Sequence, residues 1–567
     1  MNSPKGKNKT RAGRPRALFG REAEATGKSE NAETVMSSFS LSHPLARRIH
    51  YHPDMPKTNP AYTELCAHLR SVGHLGSISA LVSWDQETYM PEAGAHMRAE
   101  QSSLLAALIH ERLTETRVGD WLAACEADAD LMKPGSVTAA NIREMRCDYN
   151  KRTKLPASLV AELAATGSRA QHVWKDARQK SDFKMFAPWL DKMFELQRQK
   201  ARCYGVPDGG ELYDALIDEY EPGVTAREIA GVFGPLRDQL SALVRAVSES
   251  KKKVNTSCLT LKIEPQAQHA FGQDVLRAMG FDLNAGRLDT TAHPFCSGFA
   301  AGDTRLTTRY RDEKFTDALF GTMHEGGHGI YEQGLPKADV GKKHGVFGQP
   351  LAEAISLGIH ESQSRMWENF VGRSREFWTW AMPIAAKKMS PKFKKFSVDQ
   401  MYAAVNTTTP SLIRVEADEG TYNMHVMIRF EIERALLSGD LKVKDVPGAW
   451  NERYDSFLGV KVPDDRRGCL QDVHWSFGLV GYFPTYTLGN LYAAQFWEKI
   501  NKDLPSLKKD MSKGKFLELR DWLNDKIHKH GRRYRAAELC RKVTGKDLSA
   551  EPLLRHLRAK AQAVYGV

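Results

Sequence analysis

The sequence predicts an all-α chain, mostly helical with at most a small β-sheet, and three observations predict it. From Asn59 onward apolar residues recur at three- and four-residue spacing through most of the chain. Period-two stretches rich in Val, Ile and Thr are scarce. No repeat of roughly 20 to 50 residues and no low-complexity linker interrupts residues 60–560, so two lobes of one unit are expected rather than separable domains.

The elements follow in chain order. Residues 1–58 form a basic N-terminal extension that carries Lys5, Lys7, Lys9, Arg11, Arg14, Arg16 and Arg21 with no acid before Glu22. It is too poor in large apolar side chains to bury a core and is expected to be disordered. Residues 59–567 are the folded domain. Helical spacing marks Tyr62–Leu81, Thr225–Val247, Phe315–Gln333, Leu351–Phe370, Thr421–Leu437 and Phe516–Ile527, with Gly or Pro near several ends. Leu259–Ile263 and Thr304–Tyr310 are the fair strand candidates.

Composition excludes several classes. Hydrophobic residues at 41% and charged residues at 26% are globular values, against global disorder or a fibrous repeat. The formal charge of +12 invites a nucleic-acid reading until it is located. Residues 1–60 hold 11 Lys/Arg against 5 Asp/Glu and residues 501–567 hold 17 against 8, so the intervening 440 residues carry a net −3. The densest basic cluster, Lys526, Lys529, Arg532, Arg533, Arg535, Arg541 and Lys542, reads as a solvated helix face, and no nucleic-acid partner is expected. Eight cysteines without a CxxC pair argue against a zinc ribbon or a disulfide framework and for a reducing compartment. No apolar run of about 18 residues and no apolar signal core occur, so neither a membrane partner nor export is expected. A cytoplasmic location is expected, with organellar import through the basic N-terminus as the alternative.

The decisive segment is His324-Glu325-Gly326-Gly327-His328. On a helix, positions four apart share a face, so His324 and His328 can offer imidazoles to one ion while Glu325 stands beside it. Two adjacent glycines cost a helix about 1 kcal/mol each relative to Ala, which close approach of substrate or of another helix would explain. A catalytic zinc needs a third protein ligand and an open position, and no third His follows at short spacing. The candidates are Glu332, Glu353, Glu361 and Glu368. Glu332, four residues after His328 on the same helix, is better placed behind the ligands. Periodicity alone does not choose between Glu361 and Glu353. A divalent ion so held lowers the pKa of water, and Glu325 is the expected general base.

Five ordered motifs extend the pattern: Asp303-Thr304-Arg305-Leu306-Thr307, His324 to His328, His360-Glu361-Ser362-Gln363, Ile413-Arg414-Val415-Glu416-Ala417-Asp418, and Gly468-Cys469-Leu470-Gln471-Asp472-Val473-His474-Trp475. With Trp84-Asp85-Gln86, His293-Pro294-Phe295 and Gly481-Tyr482-Phe483-Pro484-Thr485-Tyr486, the chain resembles the Taq-type thermostable metallocarboxypeptidases from about residue 60 to its end. The resemblance implies a two-lobed zincin-like fold with a long central groove, similar to neurolysin and angiotensin-converting-enzyme-like peptidases. It implies removal of C-terminal residues from peptides with broad specificity, a homodimer, and His324, His328 and Glu361 as ligands of one ion per subunit, zinc with cobalt as the alternative.

A carboxypeptidase must also grip a free carboxylate. Arg414 is the first choice as that anchor and Arg305 the second, each against an internal ion pair, for Arg414 with Asp418. His293, His474, Tyr482 and Tyr486 are candidates for holding the scissile carbonyl or its oxyanion, while Trp84 and Trp475 are expected in packing. A zinc endopeptidase or dipeptidase on the same scaffold is the competing reading; it needs no carboxylate anchor. Between Gly334 and Gly348, Lys342, Lys343 and His344 lie in a connection several residues longer than is usual in the family, an expected loop beside the groove.

Overall fold

Helix starts are set by local side-chain chemistry. In the computed structural model, which describes residues 59–337 and 346–567, Asn59 accepts from Tyr62 N at 3.2 Å and Pro60 occupies the first turn of a 29-residue helix, Pro60–Thr88. Thr225 and Glu228 cap Ala226–Glu249 reciprocally. Asp418 accepts from Gly420 N and Thr421 N at 2.9 and 3.1 Å and opens Glu419–Ser438. With Phe315–Gly334 and Leu517–Lys526, these helices lie within a few residues of the expected spans, except that the first runs on from Leu81 to Thr88. The basic extension and the Lys342 loop fall outside the described residues.

The expected helix Leu351–Phe370 is broken. Pro350–Ala352 makes a 3-10 turn, Glu353 and Ser356 are extended, and a new helix, Leu357–Arg365, begins under the Ser356 hydroxyl, which accepts from Ile359 N at 3.1 Å. The cause is competition for amides: Leu357 N donates to Tyr220 O and Gly358 N to Glu221 Oε2, both at 2.9 Å, so neither can continue a helix from upstream. After Arg365 the chain widens into π-helical turns over Met366–Gly372.

The sheet has three strands: β1 (Gly286–Thr290), β2 (Cys296–Ala300) and β3 (Asp303–Thr308), in the order β1-β3-β2, with β1/β3 parallel and β2/β3 antiparallel. β3 fulfils the Thr304–Tyr310 expectation. Leu259–Ile263 is not a strand; Ser257–Thr260 turns as a 3-10 helix, and Ile263 N makes an isolated bond to Asp312 O at 2.8 Å, with no ladder. Helix Phe315–Gly334 packs on β2 and β3, on Pro265–Met279 and on Leu357–Arg365.

The main core runs along these helices and includes Trp367, Trp378, Phe271, Phe315 and Tyr331, each fully buried large side chain contributing about 1.5–3 kcal/mol. A smaller cluster of Leu65, Leu69, Val118, Leu122, Ile142 and Met145 lies among the first helices. All eight cysteines are free thiols. No helix among the described residues is long and apolar enough to cross a membrane.

Candidate metal centre

Two glycines let helix Phe315–Gly334 sink between its neighbours. A Cβ on Gly326 would stand 2.6 Å from Leu276 Cδ2 of helix Pro265–Met279, and one on Gly327 would stand 2.5 Å from Gln363 O. The unfavourable glycine pair is therefore explained by two packed helices. Gly489 plays the same part behind Glu361: a Cβ there would lie 2.6 Å from Glu361 Cγ, so helix Pro484–Asp503 presses on the back of that carboxylate.

These contacts bring His324, His328 and Glu361 together. Glu361 Oε2 lies 3.6 Å from His324 Nε2 and 3.5 Å from His328 Nε2, and among the described residues these three form the group whose ligand atoms all lie within 4.8 Å of one another. Two imidazole nitrogens and one carboxylate oxygen converging in this way fit a small divalent ion. Of the other candidates, Glu353 is an exposed residue pointing to Arg532 at 3.4 Å, and Glu368 accepts from His324 Nδ1 at 2.9 Å.

Each of the three side chains is oriented from behind. Glu368 is clamped by Arg365 and Arg373, both at 3.1 Å, which hold its carboxyl far below the usual range although burial acts upward. Glu361 is likewise held well below that range, against burial, chiefly by Arg365, whose Nε donates to Oε1 at 2.7 Å. His328 Nδ1 meets His360 Nδ1 at 2.5 Å, and His360 Nε2 meets Glu332 Oε1 at 2.9 Å. Glu332 thus reaches His328 only through His360. Burial, reinforced by His360, drags His328 down to about 3, so it is a neutral imidazole with a lone pair to give. Burial pushes Glu325 up to about 7, and among the described residues its carboxylate takes no hydrogen bond from a protein group.

The remaining predicted residues fall into a second cluster and a fringe. Arg414 is buried; its Nε and Nη2 donate to Asp472 Oδ1 at 3.0 and 2.8 Å, and its Nη1 to Tyr422 OH at 3.1 Å. Asp472 is shared with Arg429 and is the internal ion partner; Asp418 caps a helix instead. Tyr486 lies under the Arg414 guanidinium, 5.1 Å from ring centre, and beside Tyr482, with ring centres 5.4 Å apart. His474 packs on Phe483, and burial pulls it to about 4, so it is neutral. This cluster adjoins the ligands, because the Tyr422 ring lies 4.6 Å beneath the Arg365 guanidinium. Arg305 is drawn into a pair with Asp303, two bonds of 2.9 Å, and stacks over Trp84 and Phe299. His293 is exposed in the connection between β1 and β2.

The C-terminal basic cluster is largely answered within the fold: Arg532 pairs with Asp148 and Glu144, Arg535 with Glu144, Lys526 and Lys529 with Asp525, and Arg541 with Asp547. His360, Arg365, Arg373 and Arg429 were not singled out from sequence. Arg365 stands four residues after Glu361 and three before Glu368, the helical ion-pair spacing that could have found it, whereas the partners of His360 and Arg429 lie on other elements, where no spacing rule reaches.

Comparison with known proteins follows the same lines. Residues 64–561 match the family described as Carboxypeptidase Taq (M32) metallopeptidase. Thermostable carboxypeptidase 1 of Thermus thermophilus is 44% identical over 513 residues, covering 89% of this chain and 99% of that protein. Carboxypeptidase 1 of Bacillus subtilis is 36% identical, covering 88% and 97%. The crystal structure of an M32 carboxypeptidase from Deinococcus radiodurans superposes with a TM-score of 0.85 at 39% identity, covering 90% of this chain and all of that one.

Proposed function

The chain belongs to the carboxypeptidase Taq (M32) metallopeptidase family and is a metal-dependent carboxypeptidase that hydrolyses the C-terminal bond of peptides, and from that premise we propose how its residues divide the work. His324, His328 and Glu361 hold one ion per subunit, zinc before cobalt. When bound, the ion supplies Lewis acidity, polarising a carbonyl and easing loss of a proton from water. Glu325 takes that proton and delivers it to the leaving amine; its raised pKa, and a carboxylate that takes no hydrogen bond among the described residues, suit both halves of the transfer.

Arg414 grips the free carboxylate of the substrate. Asp472 and Tyr422 occupy part of its donor fork and hold it rigid, while other N–H groups stay available. Arg305, already paired and stacked, is the lesser candidate. Tyr482 and Tyr486, half-buried beside Arg414, are the better placed of the carbonyl-holding candidates, with neutral His474 and exposed His293 behind them. Residues 59–567 act as a single two-lobed domain with a central groove and broad specificity, following the 1–58 extension. The enzyme works as a homodimer, in the cytoplasm, without a nucleic-acid or membrane partner.

The observation that supports this division is the convergence of three possible ligand atoms beside a carboxylate that takes no hydrogen bond among the described residues. The test is release of a C-terminal amino acid from an N-terminally blocked dipeptide. Release should stop with chelator and return with added zinc; release that ignores chelator would refute the assignment.

A further inference from the structure

His324 and His328 are backed by different chemistry. His324 Nδ1 donates directly to the charged carboxylate of Glu368 at 2.9 Å. His328 Nδ1 meets another imidazole, His360 Nδ1, at 2.5 Å, and the carboxylate of Glu332 stands one ring farther back. We propose that His360 is a positioning residue of the metal site: it accepts the Nδ1–H of His328 and, with Glu332 and Lys337 behind it, fixes the tautomer and ring angle in which His328 presents Nε2. The proposal deepens the ligand assignment above and rests on it.

The proton positions follow from chemistry. A neutral imidazole carries one N–H, and His328 must keep Nε2 bare to act as a ligand, so its hydrogen is on Nδ1. Two ring nitrogens at 2.5 Å cannot both carry hydrogen, so His360 Nδ1 is the acceptor. The hydrogen of His360 then sits on Nε2 and goes to Glu332 Oε1 at 2.9 Å. Glu332 Oε2 is taken by the Lys337 ammonium, which also donates to Gly298 O of β2 at 3.3 Å. With His328 Nε2 bare for the ion, this is the tautomer pair that satisfies both the ring–ring and the ring–carboxylate contact.

The series is enclosed and demands its surroundings. Side-chain exposures of 20% for His360, 15% for Glu332 and 10% for Lys337 leave little room for water to compete. At position 298 of β2 a Cβ would meet both the Glu332 carboxylate and the Lys337 ammonium, so glycine lets this pair close against the strand without shifting. The His328 and His360 rings lie 4.4 Å apart at 33°, and Tyr331 closes the other side of His360 at 5.3 Å.

The test compares zinc dissociation constants, by competition with a chromophoric chelator, and melting of the metal-free forms for full-length wild type, H360F, H360N, E332Q and H328A. H360F keeps a ring and loses the acceptor; its dissociation constant should rise about 10- to 100-fold with metal-free melting unchanged. H360N restores an acceptor oxygen near the Nδ1 position and should recover most of that loss. E332Q, which leaves His360 in place, should show a smaller rise and carries the test if H360F does not fold. Zinc affinity within two-fold of wild type in H360F, or in E332Q should it stand alone, while H328A loses the metal, would overturn the relay. If H328A itself kept wild-type affinity, the ligand assignment would have failed first.

Discussion

Two buried charge clusters meet through Tyr422 and are built on opposite principles. Around the ligands, Glu325, Glu361 and Glu368 stand against Arg365 and Arg373, and the lone pairs of His324, His328 and Glu361 point at one another. Around Asp472, one carboxylate is shared by two guanidiniums, those of Arg414 and Arg429. Counted by formal charge, the first cluster holds three carboxylates against two guanidiniums and has a deficit of positive charge that a cation would fill, whereas the second holds two guanidiniums against one carboxylate and has an excess. Mutations should therefore separate them, affecting metal binding in one and stability in the other.

The largest expected effect is at the ligand cluster. Glu361→Ala should lose stoichiometric metal, by elemental analysis, and drop peptide hydrolysis to the level of the chelated wild type, while helical content by circular dichroism stays unchanged. Asp472→Asn should do the reverse. It strands two buried guanidiniums and should cost about 3–5 kcal/mol in urea unfolding, with metal content intact. Equal loss of metal in both variants would break the distinction.

Glu221 sharpens the comparison, because it is a buried carboxylate with no cationic partner among the described residues. It accepts from Gly358 N at the start of the helix carrying Glu361, and burial pushes it up to about 7 from 4.5. The folded state therefore holds this proton more tightly than the unfolded chain. Its contribution is most favourable below about pH 4.5 and is lost as pH rises through about 7. Glu221→Gln should remove that loss, so the variant gains on wild type by up to about 3 kcal/mol between pH 5 and 8 in denaturant unfolding. A constant difference across that range would contradict the burial argument.

The smallest effect is at the meeting point. Arg414→Lys keeps a charge but not the fork, and should lower kcat/KM for free-acid peptides by about 10- to 100-fold, mainly through KM, with metal content unchanged. If carboxyl-amidated peptides suffered the same loss, Arg414 would not be reading the carboxylate.

Much of this was legible locally. Helix starts at Asn59, Thr225 and Asp418 come from capping chemistry within three residues, and HExxH works because one helix carries both imidazoles. Glu361 was not separable from Glu353 by period. The break between them is made by Tyr220 O and Glu221, more than 130 residues away, and with it Glu353 turns to Arg532. β1 and β2 went unseen because Gly286–Thr290 and Cys296–Ala300 are five residues each, lack β-branched runs and are only partly buried. Asp472 as the partner of Arg414, and His360 as the partner of His328, join residues 58 and 32 apart on separate elements, where no periodicity reaches.

The central claim is that Glu325 moves the proton while His324, His328 and Glu361 hold the ion. Glu325→Gln, matched to wild type in metal content by elemental analysis, is the direct test in an assay of C-terminal amino-acid release. A fall of about 10²- to 10⁴-fold in kcat with the metal retained is the predicted result. Release at the wild-type rate from the metal-loaded variant would contradict it.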